Sequence, residues 1–337
     1  MKKSNQDGMK SMNNSTFASL FTGFGGADLG AIDAGLVPIW GIEKDRDIGI
    51  VGQSNLYKNH CITFGDIRDV AFSNVTNKPD WLHASPPCTT ATVVNKKGES
   101  QEDIELAEAV CRAIEILQPE YFSLENVAGY LNYKSFDLIR KQLFVNNYNR
   151  STVVLDCSDY GVPQTRKRLF LIASKNESIF DWNARLKPVE KKISWYDAIT
   201  DLIPTLPEWH LTDSQKERLT EYFNQDITQD SFKIPNLAIQ NAGNRKKDGE
   251  QNHTIRFAYK PVFTLKAMSG NIRVNPHQVT LVVDGKVLRT TIECYARWQS
   301  FPYNYQFSGD FKLDMRGVGN AVPPLMFSQI VRSVLNA

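Results

Sequence analysis

Thr16-Phe17-Ala18-Ser19-Leu20-Phe21-Thr22-Gly23-Phe24-Gly25-Gly26, residues 16–26, is the stretch on which the fold turns. Phe17–Phe21 has the short apolar form of a buried strand. The glycines that follow let the backbone turn tightly and approach a ligand, with the N-terminus of the next helix behind them. That helix is expected to end near Gly35. The spacing is not G-x-G-x-x-G, because Asp28 stands where the third glycine would fall, and this weakens a dinucleotide reading. Many such turns merely join a strand to a helix, so the flanking sequence has to decide.

Outward from this loop, short apolar runs alternate with helical segments. Val37–Glu43, Cys61–Phe64 and Trp81–Ala84 read as strands two to four, and Tyr121–Leu124 as a fifth. Between the last two, residues 102–117 place Leu106, Val110, Ala113, Ile114 and Leu117 on one helical face, with Pro119 beyond the end. Thr152–Leu155 and Leu169–Ala173 read as two more strands joined by a polar turn. Residues 16–174 are therefore expected to form an α/β domain around a parallel sheet. Residues 1–15 are polar and are expected to be a disordered tail.

The pattern changes at about residue 175. Residues 175–260 carry Trp, Pro, Asn and Lys in irregular order, with a helix expected at 213–224 and a loop at Asn241–Gln251. Asp284-Gly285 between Thr280–Val283 and Lys286–Leu288 signals a hairpin. Residues 291–300 read as helical and 323–335 as a final amphipathic helix, so 291–337 is expected to return to the first domain.

Bulk composition excludes more than it selects. The 337 residues, 42% of them hydrophobic, allow one large domain or a large and a small one. The net charge of +2 neither demands nor forbids nucleic acid. Residues 161–192 hold eight Lys/Arg against three acids, although a charge run is most often a solvated face. The 5 cysteines (61, 88, 111, 157, 294) are scattered, which argues against a disulfide framework or a zinc site and for a reducing compartment. No metal is expected. No apolar stretch follows Lys2-Lys3, and no run approaches a membrane span, so a cytoplasmic protein is expected.

Side chains with chemistry fall at the strand ends. Glu43 ends the second strand, suited to ribose hydroxyls, and Asp66 follows the third, suited to an adenine amino group. Either alone is more often a plain surface acid. The fourth strand ends in Ser85-Pro86-Pro87-Cys88, where two prolines stiffen the loop that presents the cysteine. The fifth ends in Glu125-Asn126-Val127. A lone Cys is usually a small buried hydrophobe and a lone Glu a structural carboxylate, but adjacent strand ends could bring these two over one substrate. In Gln164-Thr165-Arg166-Lys167-Arg168, strand alternation turns Arg166 and Arg168 to the same side. Two guanidinium groups there could fix a carboxylate, a base carbonyl or a phosphate.

Taken in order, F-x-G-x-G-G, P-P-C, E-N-V, Q-x-R-x-R and Gly319-Asn320-Ala321-Val322-Pro323 resemble the DNA cytosine-C5 methyltransferase family, of the bacterial or phage restriction-modification type. The match runs from about residue 16 to the C-terminus. Thr290–Glu293 through Arg297–Pro302 also resembles a family block that supports the recognition domain. The resemblance implies a class I S-adenosylmethionine-dependent methyltransferase fold with a mostly parallel seven-stranded sheet, plus a small irregular target-recognition domain within 175–290. It implies that Cys88 attacks C6 of a cytosine flipped out of double-stranded DNA, and that Glu125 meets N3 and the amino group. Arg168, with Arg166 beside it, would meet the base carbonyl. S-adenosyl-L-methionine would be lined by Phe21, Gly23, Phe24, Gly25, Gly26 and Pro87, with Glu43 at the ribose, Asp66 and Ile67 at the adenine, and Asn320 and Ala321 closing the site.

The segment Thr89–Gln101 would be a loop closing over DNA. It departs from the family, which usually has Gln after the cysteine where this chain has Thr89-Thr90. The family's tRNA-modifying branch has almost no recognition domain, so the long stretch between Arg168 and Pro261 favours DNA. A non-catalytic DNA-binding relative would not need Cys88, Glu125 and Arg168 together. A nucleotide-binding oxidoreductase is disfavoured by the glycine spacing. A monomer is expected, with a cognate restriction endonuclease acting separately.

Overall fold

The computed structural model describes residues 15–56, 61–87, 98–176, 181–224, 226–227, 234–240, 255–267 and 278–335. The expected tail up to residue 14, Cys88, residues 89–97 of the expected closing loop and the expected Asn241–Gln251 loop lie outside them.

Thr16–Leu20 forms β1, Gly26–Asp33 α1, Val37–Glu43 β2, Arg46–Asn55 α2, Cys61–Phe64 β3 and Trp81–Ala84 β4. Gln101–Leu117 (α3), Tyr121–Val127 (β5), Lys134–Val145 (α4), Asn149–Asp156 (β6) and Lys167–Ser174 (β7) follow. The seven strands make one sheet in the order β3-β2-β1-β4-β5-β7-β6. β7 runs antiparallel to both of its neighbours, and the other pairings are parallel. This is the mostly parallel seven-stranded sheet expected of a class I methyltransferase.

Period-two alternation divides the side chains between two faces. Ala18, Leu20, Leu169, Leu171 and Ala173 meet Leu106, Val110 and Ile114 of α3 and Ile139 and Leu143 of α4. Phe17, Trp81, Phe170 and Ile172 turn to the other face. There α1 packs against Pro324–Leu335, the last helix (α9 below), through Met326, Phe327 and Ile330. α3 is held at its start by a capping box, in which Ser100 and Asp103 satisfy each other's backbone N–H. Trp182 and Leu186, from the short helix Trp182–Arg185 (α5) and just beyond it, join the α1 face.

The turn expected between β6 and β7 is polar in sequence but folds partly inward. The connection contains the 3-10 turn Cys157–Tyr160 and then buries Val162, Gln164 and Arg166. Polar residues can lie inside here because backbone carbonyls receive them, as described below.

The second part is more regular than its sequence suggests. Asp213–Phe223 (α6) precedes a four-stranded sheet, β11-β10-β8-β9, made of Leu237–Gln240 (β8), Ile255–Phe257 (β9), Val279–Val283 (β10) and Lys286–Arg289 (β11). Asp284 and Gly285 both have positive φ (50° and 78°), as a two-residue turn matched to strand twist requires. One face of this sheet, with Leu219 of α6 and Leu237, Ile239 and Val282, forms a small core. The opposite face, with Ala238, Leu281 and Val283, joins a larger core. That larger core also takes Phe24, Ile48 and Val51 from the first part, and Tyr295, Trp298, Met315 and Val318 from Ile292–Trp298 (α7) and Phe311–Asn320 (α8).

Candidate functional site

β1 lies where the strand order reverses, with β2 on one side and β4 on the other. Ligands of open α/β sheets bind beyond the strand ends at such a point. The loop leaving β1 is unusual there. Phe21 has φ 64°, which costs a non-glycine residue roughly 1–2 kcal/mol. It is held by neighbours: the Ser85 hydroxyl donates to the Phe21 carbonyl (3.3 Å), and Thr22 N–H donates to Ile42 O (2.9 Å). Gly23 and Gly25 are also left-handed, and the space on the side-chain side of Gly23 is open, with no atom nearer than 4.0 Å.

Glu43 ties this loop to β2. It accepts from Gly23 N–H (2.9 Å) through one oxygen and Asp45 N–H (2.8 Å) through the other. Burial raises its pKa, and those N–H groups oppose the rise. Each carboxylate oxygen has a second lone pair, so acceptor capacity for ribose hydroxyls remains. An open glycine step beside such a carboxylate fits a nucleoside-bearing ligand.

Asp66 is more heavily engaged. Oδ1 accepts from the Arg68 backbone N–H and Nε, both at 3.0 Å, while Oδ2 takes Arg68 Nη2 (2.7 Å) and Lys44 Nζ (2.9 Å). The Arg68 guanidinium, followed by Lys44, holds this carboxyl far below the usual range. All four of its acceptor positions are taken, so a ligand amino group would have to displace the exposed Lys44. Ile67 and Phe24 have side chains in the hydrophobic cores, so only their backbones are placed to meet a ligand. Phe24 stacks on Tyr305 (6.0 Å), whose hydroxyl donates to Phe24 O (2.7 Å). The C-terminal motif closes the loop from the far side. A Cβ on Gly26 would sit 2.2 Å from Val322 O and 3.2 Å from the Ala321 Cβ. Asn320 is exposed.

At the ends of β4 and β5, Pro86 is buried and Pro87 exposed. Asn126 Nδ2 donates to Pro86 O (3.1 Å), tethering the proline loop to the end of β5. Glu125 pairs with Phe170 across the ladder, and Arg168 lies two residues before Phe170, so both side chains leave the same face. Arg168 Nε stands 3.0 Å from Glu125 Oε1. Oε1 is fully buried, and its contact with this guanidinium is poorly aligned for a hydrogen bond. Burial pushes the Glu125 carboxyl up, while Arg168 and then Arg166 pull it down.

Arg166 is placed differently from Arg168. It is fully buried, and its guanidinium donates to three carbonyls: Leu265 O (3.1 Å), Gly319 O (3.0 Å) and Ala321 O (3.2 Å). Cys157 lies within electrostatic reach of both arginines and Glu125, but burial pushes its thiol up to about 12, which makes it a poor nucleophile. Cys88 itself lies outside the described residues. No cluster of His, Cys, Asp or Glu that could hold a metal occurs among the described residues.

Three contributors were not singled out in the sequence. Asn126 was visible only as the middle of E-N-V. Gln164 and Gln299 were visible as motif letters, but their partnership spans 135 positions, which no local pattern reveals.

The profile of C-5 cytosine-specific DNA methylases matches residues 15–336. M1.HgaI of Avibacterium volantium, a Type II methyltransferase, is 28% identical over 335 residues, covering 88% of this chain and 90% of its own. M1.HphI of Haemophilus parahaemolyticus, also a Type II methyltransferase, is 24% identical over 95% of this chain and 86% of its own length. Among solved structures, a DNA modification methyltransferase encoded within an E. coli prophage superposes with a TM-score of 0.66 at 18% identity. It covers 96% of this chain and 99% of its own. S. pombe Dnmt2 gives 0.60 at 15% identity, over 96% of this chain and 98% of its own, which again speaks for the fold.

Proposed function

The chain belongs to the C-5 cytosine-specific DNA methylase family, and from that premise we propose that it methylates C5 of a flipped cytosine in double-stranded DNA through a covalent adduct on Cys88. The observation that carries this reading is the buried Glu125 carboxyl, which faces the Arg168 guanidinium at 3.0 Å without good hydrogen-bond alignment. It stands beside Arg168, at the strand end tethered to the loop that leads into Cys88. A buried carboxyl so imperfectly paired is costly, and a base that brings its own donor would lower the cost.

The residue chemistry follows. C5 of cytosine is a poor nucleophile until a thiolate adds to C6. The Cys88 thiolate forms that bond, and the electron pair displaced from the C5–C6 bond makes C5 enamine-like. Glu125, its carboxyl pushed up by burial, donates at N3 in its protonated form and neutralises the charge pushed into the ring. Arg168 holds the base carbonyl. When bound, S-adenosylmethionine, the methyl source implied by the family, would supply an electrophilic methyl group to C5, its sulfonium leaving as the neutral thioether. The Gly23–Gly26 step, Glu43 and the Asn320–Ala321 segment would hold it. Loss of the C5 proton to solvent leaves its electron pair to re-form the C5–C6 double bond, which breaks the Cys88–C6 bond and regenerates the thiolate. A stacked base cannot reach such a site, so the target must leave the duplex.

We place target recognition within residues 175–290, built around the four-stranded sheet. The matched relatives are named as Type II methyltransferases, which supports sequence-specific methylation paired with a separate restriction endonuclease. We take the protein to act as a cytoplasmic monomer. No helix among the described residues is long and apolar enough to cross a membrane.

The direct experiment is to express the chain in a host lacking cytosine methylation and sequence 5-methylcytosine genome-wide. The wild type should mark one sequence context and Cys88→Ala should mark none. Methylation persisting in Cys88→Ala would remove the assignment. A duplex with 5-fluorocytosine at the mapped target should trap a denaturation-resistant adduct on the wild type alone.

A further inference from the structure

We propose that Arg166 is a positioning residue for the cofactor segment Gly319–Ala321, acting with Gln299, and that it makes no contact with the base. The proposal rests on the reading that this segment and the β1 loop hold S-adenosylmethionine.

The geometry is a closed circuit of buried hydrogen bonds. Leu265 N–H donates to Gln164 Oε1 (2.9 Å), and Gln164 Nε2 donates to Gln299 Oε1. Gln299 Nε2 donates to Ala321 O (2.6 Å), which also accepts from Arg166 Nη2, and Arg166 Nη1 returns to Leu265 O. The second bond of Arg166 Nη2 goes to Gly319 O. The carbonyls on either side of Asn320 are thus held by one guanidinium, while Asn320 itself is left exposed between them.

Packing repeats the message. A Cβ on Gly319 would stand 2.5–2.6 Å from backbone atoms of Lys266 and Ala267. The segment is therefore pressed on the 262–267 stretch and has little freedom to slide. Its other side meets Gly26 of the β1 loop through Ala321 and Val322. What Arg166 fixes is the height and direction of Asn320 relative to that loop.

An arginine suits the task. Its planar fork reaches two carbonyls from one nitrogen and a third from the other, whereas a lysine offers a single point of charge. Burying a charge among carbonyls is expensive and depresses even this guanidinium to about 9. Such an arrangement persists where its geometry is used. Both terminal nitrogens of Arg166 are engaged by these buried carbonyls, whereas Arg168 hydrogen-bonds through Nη1, to Lys167 O, and lies against Glu125.

The test separates the two ends of the site in the full-length protein. S-adenosylhomocysteine binding is measured by calorimetry. Addition of the nucleophile is measured without cofactor, as solvent exchange of the C5 hydrogen of the target cytosine in duplex DNA. Arg166→Lys should weaken S-adenosylhomocysteine binding by roughly tenfold or more, while exchange at saturating DNA stays within about threefold of wild type. Gln299→Met should do the same more mildly, and it serves if Arg166→Lys folds poorly, with thermal melting as the control. Arg168→Met should show the reverse pattern.

Loss of exchange with unchanged S-adenosylhomocysteine affinity in Arg166→Lys would return Arg166 to the base and overturn the proposal. Unchanged affinity in both Arg166→Lys and Gln299→Met would overturn it equally. A wild type that binds S-adenosylhomocysteine but never exchanges the hydrogen would instead remove the proposed reaction. In that case the affinity measurements would still decide the role of Arg166.

Discussion

In the proposed reaction Glu125 works only in its protonated form at the moment of addition, and burial raises its pKa against the pull of Arg168 and Arg166. The competent fraction falls as pH rises through that raised value, so kcat/KM should fall on the alkaline side. Glu125→Gln should remove that limb and lower kcat by roughly 100- to 10,000-fold while leaving DNA affinity near wild type. An alkaline limb unchanged in the residual activity would assign it to another group. Asp28 is a second buried acid, receiving the Ser19 hydroxyl (2.9 Å) and pushed up to about 7 by burial. An acid with a raised folded pKa contributes stability that is full below its unfolded value, near 3.8, and lost as pH rises through about 7. The wild type should therefore lose melting temperature between pH 5 and 8 more steeply than Asp28→Asn, and parallel profiles would contradict this. The positions of Glu43, Glu125 and Arg168 at strand ends were legible because strand ends follow from hydrophobic pattern. The commitment of Arg166 was not, because alternation gives the side of a strand a residue leaves and says nothing of the carbonyls waiting there.

Glycines set how closely the elements approach one another. A Cβ on Gly52 of α2 would lie 2.5 Å from Gly23 O, and one on Gly30 of α1 would lie 2.4 Å from Pro324 O at the start of α9. Both neighbours are backbone atoms and cannot swing aside. Gly30→Ala should cost about 1–3 kcal/mol in urea unfolding, as overpacking does, and a neutral result would mean that α9 shifts freely. Gly52→Ala pushes on the β1 loop, so it should weaken S-adenosylhomocysteine binding more than Gly30→Ala does at equal loss of stability. Equal affinities in the two variants would deny that α2 supports the loop. Gly49 and Gly52 in α2, and Gly317 and Gly319 in α8, hide these helices from sequence: each has two in ten residues, and glycine lowers helix propensity by about 1 kcal/mol. Tertiary contact overrides that penalty, with Gly317 of α8 receiving the Phe24 ring. α4 is different, since Phe136, Ile139 and Leu143 carry a helical stripe that is readable in the sequence. The short strands β8 and β9 have 4 and 3 residues, too few for a periodic signal.

At the scale of the molecule, the larger shared core decides how far the second part is separable. Trp195, Ile199 and Leu206 lie past the expected boundary at 175, yet they pack with Phe24, Ile48 and Tyr295. The Trp298 indole donates to Trp195 O (2.9 Å), adding a polar tie. A graft of a relative's segment starting at residue 207 and ending at 290 should fold and redirect methylation to the donor's sequence. One starting at 175 without the equivalents of Trp195 and Ile199 should melt at a lower temperature. Unaltered target choice after the shorter graft would locate recognition elsewhere. The arrangement of Gly26 against Val322 has a further consequence, one of timing. The loop after β1 and the segment that completes it are separated by almost 300 residues of chain, which a ribosome adds at about 5–20 per second. The glycine step is thus made early and stays half-built for tens of seconds. Prematurely terminated chains lacking Gly319–Val322 would be unable to modify DNA, however well their sheet had formed.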